Sequence, residues 1–246
     1  MKKSLLVVAL LSAFAPMVAQ AEAGDIVVRL RATNVNPNVK SSLGETTNAA
    51  YAASPTAANT ALALYGSNTA NLQVDANTIP ELDISYYFTK NIAAELILAV
   101  GTRHNVNVSA GTNPLVTPEL GSVNLLPPTL TAQWHFNPDQ MIDPYVGGGA
   151  AFVLGLDRKL NAHVGNLSAD LPIRIDRSAF GAVLQAGFDV NLQDKWLVNF
   201  DVKKIWFNTD VKLNTGGALS TVTGYQKIDN LDINPLVVSV GIGKKF

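Results

Sequence analysis

The 246 residues contain no cysteine, which excludes disulfide frameworks, thiol nucleophiles and CxxC metal sites. Charge is scarce too. Asp, Glu, Lys and Arg make up 15% of the chain, against about 25% in ordinary soluble domains. They nearly cancel, at a net charge of -1, so there is no basic surface for nucleic acid. Histidine is limited to His104, His135 and His163, with no HExxH or Ser/His/Asp spacing around them. Gly147, Gly148 and Gly149 are followed by neither a Lys/Ser pair nor a helix signal, so they form no phosphate loop. The expectation is a chain that is not an enzyme and uses no cofactor or metal.

Long apolar runs are also missing beyond the first residues. The longest, Val146 to Leu156, is diluted by glycine and falls well short of the roughly 20 residues of a transmembrane helix. Yet hydrophobic residues reach 48% and the mean hydropathy is +0.18. A closed β-barrel reconciles the two, because it satisfies its backbone polar groups internally and spreads apolar residues over alternate strand positions.

At the start, Lys2 and Lys3 precede an apolar stretch from Leu5 to Ala15, and Ala19, Ala21 and Ala23 offer two overlapping small-x-small sites. This is the pattern of a secretory signal. The expected organisation is a signal peptide over residues 1–21, with cleavage after 23 as the alternative, followed by one outer-membrane barrel domain over 22–246.

Alternation with period two marks eight strands. Ile26, Val28, Leu30 and Ala32 alternate with Val27, Arg29, Arg31 and Thr33. Similar patterns run through 81–88, 94–101, 129–136, 144–156, 180–191, 196–203 and 233–246. Long and short connections alternate between them: residues 35–78, 103–125, 157–177 and 209–230 are expected as outer loops, and the tight turns as periplasmic ones. Trp134, Phe136, Tyr145, Phe188, Trp196 and Phe246 lie near strand ends on the short-turn side, where an aromatic girdle belongs. Beyond Lys203 the phase stays open: either Lys204 points outward or a bulge resets the alternation.

An eight-stranded barrel is about filled by its own side chains, so the filling decides the function. Arg29, Glu95, His135, Asp189 and Asp201 are expected to form a polar plug in the lower and middle lumen. The plain reading is that these groups satisfy one another and stabilise the barrel. Toward the outer side, Val183, Ile205, Phe207, Ile233 and Val237 form an apolar inward set, read either as a solute path or as a small hydrophobic core. Pro127, Pro128 and Pro235 donate no ladder hydrogen bond; they mark either a lateral gap in the wall or strand boundaries.

At the C-terminus, Ser239, Gly241 and Phe246 resemble the insertion signal of outer-membrane barrels, with Lys244 in place of its second aromatic. More specifically, Leu126–Leu130, Asp143–Gly147, Asp201–Ile205 with Asn208, Thr209 and Asp210, and Asp232–Pro235 leading into Gly241, Ile242 and Gly243 resemble the outer membrane protein W (OmpW/AlkL) family. That resemblance implies an eight-stranded antiparallel transmembrane β-barrel in the bacterial outer membrane. It also implies passive uptake of small hydrophobic molecules, with lateral exit through the barrel wall; the alternative is a structural or surface-interaction barrel with a filled lumen. The expected partners are outer-membrane lipid and lipopolysaccharide, the barrel assembly machinery and small hydrophobic solutes, with no nucleic acid.

Overall fold

Segments whose apolar and polar residues alternate fold as strands with two unlike faces, and such strands leave no edge only when the sheet closes. In the computed structural model they do close. It describes residues 21–46, 71–109, 119–164, 169–214 and 224–246; the expected signal segment through residue 20 lies outside the described residues. The strands are β1 (Ile26–Asn36), β2 (Asn71–Val74), β3 (Asn77–Tyr87), β4 (Ile92–Ala99), β5 (Thr102–Ser109), β6 (Glu119–Leu126), β7 (Thr129–His135), β8 (Ile142–Asp157), β9 (Lys159–Val164), β10 (Ala169–Ile175), β11 (Ser178–Asn191), β12 (Trp196–Trp206), β13 (Asn208–Asn214), β14 (Tyr225–Asp232) and β15 (Leu236–Lys245). They run as eight staves: β1, then β2–β3, β4–β5, β6–β7, β8–β9, β10–β11, β12–β13 and β14–β15. Each stave pairs antiparallel with both neighbours, and β1 against β15 closes the ring. Short turns at 88–91, 136–141 and 192–195 join staves at one end. In the last of these, Asp194 and Lys195 adopt positive φ.

The expected outer loops contain far more structure than alternation in the apolar band suggested. Residues 103–125, 157–177 and 209–230 carry most of β5, β6, β9, β10, β13 and β14, and 35–78 carries β2. The barrel therefore continues well past the membrane band, and its polarity inverts on the way. In the lower half the outward side chains are apolar, with Leu30, Leu130 and Val240 more than half exposed, while Arg29, Glu95 and Asp201 are buried inside. In the extension the inward side chains are apolar, as with Val106, Leu160, Ile173, Val211 and Leu213. Their outward neighbours, Arg103, Asn161, Arg174 and Lys212, are polar. The solvent outside the wall explains both halves: lipid selects an apolar exterior, whereas water selects a polar exterior and leaves the lumen to supply the core.

Stave seven shows the crossover without a bulge. Its pairing with β11 and β15 runs unbroken through Lys203↔Gln185 and Lys204↔Leu236. Lys203 is buried in the lumen, Lys204 faces outward and donates to the Asn234 carbonyl, and Ile205 is again inside. Tyr145 departs from the expected girdle. It is 1% exposed and faces the lumen, donating to Asp201 Oδ2 at 2.7 Å. Trp134, Phe136, Phe188, Trp196 and Phe246 do face outward at the short-turn end.

Candidate solute chamber and polar belt

Arg29 and Arg31 occupy successive inward positions of β1, and each is opposed across the β15 seam by a glycine: Arg29 by Gly243 and Arg31 by Gly241. A Cβ at Gly241 would collide with the Leu30 carbonyl oxygen and lie 2.7 Å from Arg31 Cγ, so this glycine makes room for both the backbone and the arginine side chain. Phe246 lies at the outward girdle, its N–H bonded to the Ile26 carbonyl at 2.8 Å.

The freed space holds a continuous belt of ion pairs. Arg29 donates to Asp189 Oδ2 and Ser85 Oγ, each at 2.6 Å. Arg31 donates to Asn199 Oδ1 at 2.7 Å and to Glu95 Oε1 at 2.9 Å, and pairs with Asp83 Oδ2 at 2.8 Å. Lys203 pairs with Asp201 at 2.6 Å and with Glu81 at 3.4 Å, while Gln185 donates to Glu95 Oε2 at 3.0 Å. Nearer the short turns, His135 Nδ1 lies 2.7 Å from Asp143 Oδ2, and Tyr87 Oη lies 3.1 Å from His135 Nε2. A carboxylate only accepts, so Nδ1 carries a proton, and Nε2 lies within reach of both Tyr87 Oη and, at 3.3 Å, Gln133 Oε1.

Of the residues expected in the plug, Arg29, Glu95 and Asp189 share one network. Asp201 joins it through Tyr145, whose Oη accepts from Asn199 at 3.0 Å. His135 sits below in its own cluster with Asp143, Tyr87 and Gln133. The sequence reading passed over Arg31, Glu81, Asp83 and Lys203 as plug members. The period-two signal was available for all four, each on the inward face of its strand.

Directly above the belt lies an apolar chamber, with Glu81 and Lys203 in its floor and Ile97, Leu125, Ile205, Phe207, Ile233 and Val237 among its walls. Its free space is about 80 Å³. Ile205, Phe207, Ile233 and Val237 line it; Val183 packs in the same apolar cluster without bordering the free space.

The prolines divide. Between the pairs Ile97↔Thr129 and Thr102↔Leu125, residues 98–101 and 126–128 have no ladder partners across staves three and four. Pro127 and Pro128 sit in that interruption. On the other side of stave four the wall is intact, with Phe152 N–H donating to the Pro128 carbonyl at 2.9 Å. Ala99 and Pro127 border both this seam and the chamber. Pro235 lies at no such opening: Ile205 N–H donates to its carbonyl at 3.2 Å, and Asn38 N–H reaches Ile233 on the far side at 2.9 Å. The left-handed backbone of Asn234 lets the strand turn there without losing its neighbours. Pro80, which the sequence reading did not single out, stands where the ladder between staves two and three ends at Glu81↔Ala99. That interruption is bridged by Asn77 Nδ2 donating to the Arg103 carbonyl at 2.7 Å and by Asp75 N–H donating to the Asn105 carbonyl at 3.1 Å.

Comparison with known proteins agrees with this architecture. The solved structure of OprG from Pseudomonas aeruginosa superposes with a TM-score of 0.67 at 22% identity, covering 93% of this chain and 99% of that one. Outer membrane protein W of Escherichia coli is 32% identical over 70% of this chain and 75% of its own length. An uncharacterised outer-membrane protein, y4mB, of Sinorhizobium fredii is 38% identical over 72% and 69%. The OmpW family model matches residues 22–246; the chain belongs to the OmpW family and is a β-barrel of the bacterial outer membrane.

Proposed function

We propose that the chain is a passive channel that admits small hydrophobic molecules from outside into the apolar chamber and releases them sideways into the membrane through the seam at 98–101 and 126–128. One observation carries this reading: an apolar chamber stands on an ion-paired floor and borders an interruption of the wall. A solute moving straight down would have to part Arg31, Glu95 and Lys203 from their partners, and breaking one partner of a buried pair costs about 3–5 kcal/mol. Sideways exit breaks no ladder hydrogen bond. No step needs a catalytic group or cofactor. In the same reading the outward apolar band contacts lipid, the extended ladder meets lipopolysaccharide, and the C-terminal strand is read by the barrel assembly machinery.

A second reading, a filled barrel with a structural or surface-interaction role, is favoured by the size of the free space. About 80 Å³ is well below the ~300 Å³ of a small-molecule pocket, so a solute must displace side chains. The test is a reducible cross-link between cysteines at Ala99 and Pro127. Uptake of apolar solutes by proteoliposomes should stop when the seam is linked and return on reduction. Uptake unaffected by linking excludes the seam, and uptake no faster than through an equal-sized filled barrel favours the second reading.

A further inference from the structure

Within the chamber wall the buried His104 ring has one nitrogen to which no described residue bonds, and it defines a head-group site. Resting on the uptake reading above, we propose that His104 Nε2 accepts a hydrogen bond from the hydroxyl of an amphiphile, an alkanol or phenol, whose apolar body fills the chamber.

His104 sits on β5 opposite Val123, is 3% exposed, and lines the chamber. Its Nδ1 lies 2.7 Å from the carbonyl oxygen of Asp75. A carbonyl oxygen only accepts, so Nδ1 carries the ring proton and the neutral imidazole presents Nε2 as a bare acceptor. The tautomer is held firmly because Asp75 is itself fixed, its carboxylate accepting from the backbone N–H and the side-chain amide of Asn105, both at 2.7 Å. Among the described residues nothing donates to Nε2.

The other polar liners each make a hydrogen bond or ion pair of their own. Thr102 and Thr129 give their hydroxyl protons to the carbonyls of Leu125 and Pro127, each at 3.0 Å. Thr209 accepts the Asp176 N–H at 3.3 Å, and Glu81 and Lys203 face each other at 3.4 Å. An alkane would leave the imidazole acceptor buried and unmet, at a cost. An alkanol meets it, whereas a carboxylate brings a second acceptor and no proton. The placement suits a molecule on its way out: Thr102, one inward position below His104, borders the seam. A head at His104 leaves the chain lying toward Ala99 and Pro127. The approach suits it as well, since a polar groove lined by Lys40, Ser41, Gln73 and Asp75 shares Pro37, Leu72 and Val74 with the chamber.

The test uses the full mature chain in nanodiscs, with ¹⁵N-labelled histidine, titrated with 1-octanol, octane and octanoate. Octanol should shift the His104 Nε2 resonance while Nδ1 stays protonated; octane and octanoate should leave Nε2 in place. In competition with a fluorescent apolar probe, octanol should outbind octane by roughly 5–10-fold, the worth of one hydrogen bond in an apolar site. His104→Phe should erase that preference while keeping octane binding. Equal Nε2 shifts with octanol and octane, or equal weakening of both by the substitution, would make His104 a packing residue and overturn the inference while leaving uptake intact. Failure of both probes to bind would bring down the chamber reading itself. Because the NMR readout needs only the unmutated chain, a poorly folding variant does not spare the proposal.

Discussion

Asp229 Oδ1 accepts two hydrogen bonds from one residue, the backbone N–H of Ser42 at 2.7 Å and its hydroxyl at 2.5 Å. The second oxygen takes Ser41 Oγ at 2.5 Å, and Asp229 is only 1% exposed. This carboxylate therefore clamps the strap following β1 to β14 at the extended end, and the clamp seats Leu43, 1% exposed, in the apolar cluster. Asp229→Ala should free the strap, because hydrogen bonds to charged groups are worth about 1.5–3 kcal/mol each. Hydrogen exchange at Ser42 and Leu43 should accelerate by at least tenfold while the lower barrel stays protected, and apolar uptake should rise. Unchanged exchange would show that other contacts hold the strap.

Arg31 binds Glu95, Asp83 and Asn199 at once, so Arg31→Met strands buried carboxylates. A loss of about 3–5 kcal/mol is expected, read as a lower urea midpoint for unfolding from lipid vesicles. The double change Arg31→Met with Glu95→Gln should recover part of it. A double variant as weak as the sum of the single ones would show that the pair is not coupled.

Gly241→Val should be worse than its small volume change suggests, since the added carbons meet Arg31 and the Leu30 carbonyl. The expected result is slow or incomplete folding into vesicles, relieved only in part when Arg31→Ala is added, because the Leu30 carbonyl and the Arg31 backbone remain in the way. If the arginine change gives no relief, backbone approach alone requires a glycine there.

In the extension, hydrogen bonds from Lys227 and Asn230 hold the Asp210 carboxyl below its ordinary pKa, and the bond to Asp176 holds the Lys212 ammonium above its own. The depressed carboxyl contributes stability above its unfolded pKa of ~3.9, lost as pH falls through the lower folded value. The raised ammonium contributes below ~10.4, lost as pH rises through the higher folded value. Exchange at β13 and β14 amides, corrected for intrinsic rates, should therefore be slowest between those limits. Molar salt should shrink the effect, because these groups are partly open to solvent. A flat profile would show that the ladder hydrogen bonds alone hold the extension.

For orientation, a cysteine at Gln226 or Arg103 should react with an impermeant thiol reagent on whole cells, and one at Asp194 should not. The reverse labelling would put the chamber on the periplasmic side and undo the proposed direction of entry.

Much of the architecture was written in the pattern of residues. Period-two alternation fixed the eight membrane strands and the inward placement of Arg29, Glu95, His135, Asp189 and Asp201, because a closed barrel admits only two faces and lipid dictates which is which. It also placed Ile205, Phe207, Ile233 and Val237 inside. The extension was harder to see, since a search for apolar exteriors passes over β5, β10 and β13, where water outside reverses the sign of the pattern. Tyr145 shows the limit of composition: an aromatic near a strand end suits a girdle, but its position in the alternation sent it inward to Asp201.

The sequence alone determined the compositional economy of the chain: no cysteine, little charge, and strands in place of spanning helices. Which partners the charges chose was decided only by ring closure. Arg31 meets Glu81, Asp83, Glu95 and Asn199 on three other strands, and no local period encodes distances around a circumference. The same holds for the prolines. Pro127, Pro128 and Pro235 are alike in the sequence as residues without an N–H, yet the first two stand at an interruption and the third does not. A missing donor opens a wall only where the neighbouring strand also breaks its ladder, as stave three does at residues 98–101, and that is a property of two staves laid side by side.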